Sequence, residues 1–102
     1  MSTLHWDNET DGPLNEANMR KKLQALGYTV HKYSYPPGTF FPDHSHNVDK
    51  IDGVLSGQLK MSMQGQSFIL QPGDCLAVPA GCLHSAEVIG KQSVISLDAI
   101  KQ

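Results

Sequence analysis

An all-β fold, a sandwich or barrel with one short N-terminal helix, is predicted for this chain of 102 residues. Three observations predict it. From Tyr28 onward, apolar and polar residues alternate with the period of two that half-buried strands show. Glycine and proline punctuate these stretches about every 8–12 residues, the spacing of short strands joined by tight turns. No helical segment separates one strand from the next, so the crossovers of a parallel sheet are missing. Composition agrees: 39% apolar and 18% charged residues suit a single folded domain.

Residues 1–12 read as a polar, turn-rich arm, and Trp6, its one large apolar residue, is expected to pin the arm to the body. Leu14 to Leu26 carries a helical pattern. Asn15 serves as N-cap, Glu16 suits the first turn, and Met19, Leu23 and Leu26 form one apolar stripe. Gly27 supplies the left-handed residue that ends the helix. Arg20-Lys21-Lys22 is expected to be a water-facing run. Residues 1–27 are thus an arm and helix packed on a β-body of residues 28–102, one domain overall.

In that body, Tyr28, Val30 and Lys32 alternate with His31, Tyr33 and Tyr35 until Pro36-Pro37-Gly38 breaks the strand. A strand follows through His44 and His46, then another over Ile51 to Leu55 and a turn at Ser56-Gly57. Leu59, Met61 and Met63 alternate with Lys60 and Ser62, and Gln64-Gly65 suits a hairpin turn. Further strands cover residues 68–70, 76–78, 84–89 and 93–97. The methionine stripe reads as core lining and as a soft substrate wall. Tyr33, Tyr35, Phe40 and Phe41 read as a pocket wall or as a core and dimer surface.

The net charge of −2 gives no attraction to nucleic acid or acidic membranes, and neither partner is expected. No apolar stretch approaches the ~18 residues of a membrane span, and the first residues lack the basic and apolar regions of a signal peptide. Two cysteines, Cys75 and Cys82, without CxxC spacing suit a reducing, cytoplasmic setting. Cys75 reads as core. Cys82, two residues before His84, reads as a small apolar side chain or as a ligand or redox-sensitive neighbour.

The chemistry-bearing residues are histidines. His44 and His46, two apart, share one face of a regular strand and make half a metal site. His5 and His31 read as structural. Gly38, five residues, His44-x-His46 and then Gly57 resemble the first motif of the cupin superfamily. Gly73, five residues, Pro79-x-Gly81, two residues and His84 resemble the second. The two motifs span residues 38–88, about half of the chain.

This resemblance implies a small double-stranded β-helix, the jelly-roll barrel of cupins, with His44, His46 and His84 as ligands of one divalent transition-metal ion, Fe, Mn, Ni or Zn. It also implies a homodimer, and a Pro79–Gly81 turn that delivers His84. The sequence departs from the family pattern at Lys50, where a ligand glutamate is usual, and at Val88, where an asparagine can stand. Three neutral imidazoles leave the ion's charge uncompensated, and Lys50 adds another positive charge unless it turns outward to solvent. Asp52 can pair with Lys50 or approach the ion, Asp49 can supply a carboxylate one residue early, and an anionic ligand can be held by Lys50. Lys50 and Asp52 are therefore the candidate catalytic residues, and Asp49 a candidate additional ligand. The expected partner is a small anionic or chelating molecule. A dioxygenase- or isomerase-type enzyme, a non-catalytic ligand- or metal-binding module and a regulatory module all fit these residues.

Overall fold

The period-two alternation closes into two antiparallel sheets. The computed structural model describes residues 3–101; Met1, Ser2 and Gln102, at the outer ends of the expected arm and β-body, lie outside the described residues. In chain order the elements are β1 (Thr3–Leu4), α1 (Asn8–Asp11), α2 (Glu16–Ala25), β2 (Tyr28–Tyr35), β3 (Phe40–His44), β4 (Lys50–Ser56), β5 (Gln58–Met63), β6 (Gln66–Leu70), β7 (Cys75–Val78), β8 (His84–Ile89) and β9 (Val94–Lys101). One sheet has the order β1-β7-β4-β9-β2 and the other β3-β8-β5-β6. From β2 onward, successive strands thus alternate between the sheets, except at the β5–β6 hairpin, whose turn is Gln64-Gly65 as expected.

The N-terminal helix forms as its caps predict. The Asn15 side chain accepts a hydrogen bond from the Asn18 N–H at 2.8 Å, and Gly27 takes a φ of +90° past the helix end. Met19 and Leu23 are completely buried, but Leu26 lies at the C-cap and is 46% exposed, so the apolar stripe is one residue shorter than expected. The cationic run is not wholly solvated either. Arg20 donates to the Val30 carbonyl, and Lys22 forms a 2.8 Å ion pair with Asp11 while lying over the Trp6 ring.

The arm carries more structure than its polar composition suggests. Thr3 and Leu4 pair with β7, and Asp7 caps α1. Trp6 does pin the arm: its indole N–H donates to the Gly12 carbonyl and its ring packs on the cluster beneath α2.

The five-stranded sheet has apolar clusters on both faces. On the outside, α2 contributes Met19 and Leu23 to a cluster with Val30, Ile51, Cys75, Leu97 and Ala99. Inside the barrel, Val54, Leu76, Val78 and Val94 meet Leu59, Met61, Met63, Leu70, Ala86 and Val88 of the other sheet. Burial on both faces explains the unbroken buried run of β4 from Ile51 to Val54. At Gly53 a Cβ would stand 2.9 Å from the Met19 sulfur and 3.0 Å from the Cys75 sulfur, so the missing side chain lets the helix approach. No helix among the described residues is long and apolar enough to cross a membrane.

Candidate metal centre

Three histidines gather where β3 and β8 meet. In the β3–β8 ladder Phe41 faces Ala86 and His44 faces His84, so β3 spends one extra residue at Pro42-Asp43, a β-bulge. Phe41 and His44 are an odd number of residues apart and would point to opposite faces of a regular strand. The bulge turns both to the same cavity. Proline, which has no N–H to give to a ladder, is at home there.

The expected strand through both histidines ends at His44; His46 lies on the loop that follows. Strand alternation therefore does not place His46. Its carbonyl accepts from the Gly81 N–H at 2.8 Å, which ties the loop to the Pro79–Gly81 turn. Gly81 has a φ of +77°, the left-handed conformation that favours glycine. From this turn β8 starts at His84, directly across from His44 and 2% exposed.

The rings are close. Centroids of His44 and His84 are 4.2 Å apart, those of His44 and His46 4.9 Å, and those of His46 and His84 5.2 Å. Each ring offers a nitrogen within 4.8 Å of the other two, so the three could hold one metal ion. The His44 Nδ1 contacts the Pro42 carbonyl at 2.7 Å, and the His84 Nδ1 contacts the Cys82 carbonyl at 2.9 Å. A carbonyl only accepts, so both Nδ1 atoms carry the proton and both Nε2 atoms keep a free lone pair in the neutral ring. The His46 Nε2 is buried without any hydrogen-bond partner. Burial holds His46 and His84 below the ordinary imidazole range, helped for His46 by the nearby Lys50 charge and for His84 by His44, against the Cys82 carbonyl. Neutral, oriented imidazoles with an orphaned buried nitrogen are the donor set that divalent transition metals take.

Lys50 faces the cavity rather than solvent. Its Nζ is 3.6 Å from Asp52 Oδ1, within ion-pair range but too long for a formed hydrogen bond. Asp49, the residue before β4, does not join the histidines. Its carboxylate accepts from the Ala80 N–H at 2.8 Å, locking the same turn that Gly81 ties to His46. Cys82 also stays apart: its Sγ lies 3.6 Å from the Met63 sulfur, and its contribution to the site is the carbonyl that orients His84.

The cavity beside the histidines has a volume of about 300 Å³. Leu59, Met61 and Ala86 form its apolar wall. The opposite wall includes Asp98, Ser96, Tyr33, Tyr35 and, at the exposed rim, His31. Tyr33, Tyr35 and Phe41 thus form a pocket wall, while Phe40 is 59% exposed on the other face of β3. Asp98 and Ser96 were not singled out by the sequence. The only signal is a polar serine and aspartate alternating with apolar residues in a strand buried on both faces.

A double-stranded β-helix carrying this cluster defines a class, and comparison with known proteins names it. Residues 31–100 match the cupin domain model, and the chain belongs to the cupin family. It is 27% identical over 86 residues to germin-like protein subfamily 1 member 4 of Arabidopsis thaliana, an alignment covering 76% of this chain and 39% of that protein. Among solved structures, the DMSP lyase DddQ of Ruegeria pomeroyi is similar with a TM-score of 0.67 and 23% identity over 74% of this chain and 39% of that one. KdgF of a Halomonas species is similar with a TM-score of 0.65 and 21% identity, covering 74% and 70% of the two chains. A predicted oxalate decarboxylase of Thermotoga maritima has a TM-score of 0.66 and 23% identity, covering 79% and 72%. The chain spans about two fifths of the germin-like protein and of the DMSP lyase. These structural likenesses concern the fold.

Proposed function

We propose that His44, His46 and His84 hold one divalent transition-metal ion, Fe, Mn, Ni or Zn, and that the cavity beside it takes a small anionic or chelating molecule. The observation that carries this reading is the orientation of the rings: carbonyls hold Nδ1–H of His44 and His84, and the buried His46 Nε2 has no other partner. Bound there, such an ion would supply Lewis-acid chemistry of the isomerase kind or, as iron, dioxygen chemistry of the dioxygenase kind. Lys50 attracts the anionic group of the ligand, and Asp52 holds the ammonium toward the cavity.

A non-catalytic binding or regulatory module is the second reading. The loops that border the histidines, residues 45–49 and 79–83, are short, which favours binding in an open site over water-excluding closure. The two free thiols, one of them buried, support a cytoplasmic setting. The long β2 edge of the five-stranded sheet supports a homodimer, which gel filtration tests.

Elemental analysis of tag-free protein after exposure to each metal tests the centre. The expected result is one ion per chain, lost in His44→Ala and in His84→Ala and kept in His5→Ala, whose ring pairs with Asp74. A wild-type protein that takes up no metal, or variants that bind as well as wild type, would overturn the reading. Turnover assays on the loaded protein then separate enzyme from binding module.

A further inference from the structure

The wall opposite the histidines holds more negative charge than its own partners satisfy. Cross-strand pairing sets His31, Asp98 and Asp52 in one row on the cavity side of the five-stranded sheet. Asp98 and Asp52 are direct neighbours across antiparallel strands, an arrangement in which like charges repel. Among the described residues, Lys50 is the one ammonium lining the cavity, against two carboxylates, and its ion pair is with Asp52.

Hydrogen bonds are also in short supply. Ser96 donates to Asp98 Oδ1 at 2.9 Å, and the Tyr35 hydroxyl reaches Asp98 Oδ2 at a long 3.5 Å. Two carboxylate oxygens offer about four acceptor positions, so Asp98 keeps capacity. Asp52 is only 7% exposed, and its buried Oδ1 receives no hydrogen bond. Leu59, Met61 and Ala86 across the cavity have no side-chain donor to offer. An acceptor left in that state has lost its water without gaining a protein partner, a cost that a bound donor recovers.

We propose that Asp98 and Asp52 are ligand-recognition residues, accepting hydrogen bonds from hydroxyl groups of a small hydroxycarboxylate whose carboxylate lies toward the three-histidine centre. This rests on the metal reading above. Charge selects the hydroxyl over an ammonium. Two carboxylates and one ammonium leave the cavity with one negative charge, which a divalent ion turns into one positive. A hydroxycarboxylate of charge −1 balances it, whereas a zwitterion would not, and its ammonium would have to sit beside Lys50.

The test is calorimetry on tag-free, Mn(II)-loaded protein with matched probes: glycerate against lactate, and 2,4-dihydroxybutyrate against 2-hydroxybutyrate. Each pair shares the chelating end and differs in one remote hydroxyl. In at least one pair the extra hydroxyl is expected to tighten binding by at least about tenfold. Asp98→Asn should reduce that preference to within about twofold with the metal content unchanged. Asp52→Asn carries the same expectation and serves if Asp98→Asn does not fold. Metal-loaded wild type that ignores the remote hydroxyl in both pairs, or a preference that survives both variants, overturns this inference and leaves the metal reading intact. Tighter binding of 4-amino-2-hydroxybutyrate than of its hydroxyl counterpart overturns the choice of hydroxyl. Protein that takes up no metal overturns both.

Discussion

At Asp52, burial and the charge of Asp98 push the carboxyl up to about 6, against the pull of Lys50 and His44. The folded protein therefore holds this proton more tightly than the unfolded chain does, where an aspartate titrates near ~3.9. Its stabilising effect is complete below that value and is lost as pH rises through about 6. In metal-free protein, the stability of wild type relative to Asp52→Asn should fall by on the order of 2 kcal/mol between pH 4 and pH 7. Urea melts across that range check it; a constant difference would show that the residue titrates normally. The meeting of three histidines was legible in sequence because glycine and proline spacing flagged both segments. Asp98 was not legible, because its partners Tyr35, Ser96 and Asp52 come together only when β2, β4 and β9 align. The alternation of Ser96 and Asp98 with apolar residues marks a strand position but not what meets it across the sheet.

Elements place these residues with devices of unequal visibility. The helix was readable from its caps, since Asn15 and Gly27 act locally. The bulge in β3 was not readable, because an extra residue shows only against the partner strand. The loop holding His46 is fixed by two bonds to one turn, Gly81 N–H to His46 O and Ala80 N–H to Asp49 Oδ1. Asp49 thereby acts as a clamp between the two motifs. Asp49→Ala should weaken metal binding by up to about tenfold, the lower end for residues that support ligands indirectly. Asp49→Asn keeps an acceptor oxygen and should bind metal within about twofold of wild type. Competition against a chromogenic chelator measures both; an Asn variant as weak as the Ala variant would instead mark the carboxylate as a ligand.

Over the whole molecule, the five-stranded sheet separates two jobs. Its outer face carries the helix and the arm, and its inner face closes the barrel over the cavity. Leu23→Ala should cost about 2–5 kcal/mol, the range for a fully buried leucine, while metal stoichiometry stays unchanged. Thermal melts and elemental analysis on the same sample check this, and a joint loss would show that the helix supports the site. The two-sheet architecture was legible because alternation and turn spacing run through the whole body. The arm's pairing with β7 was not, since a two-residue strand is too short to show a period. The bulge at Pro42-Asp43 has a consequence for descent as well as for geometry. A deletion of a single codon there restores regular alternation with Phe41 and the first histidine two residues apart, so both still face the cavity, opposite Ala86 and His84. Lineages of this fold can therefore gain or lose one residue of chain length at this point while the first histidine keeps its direction.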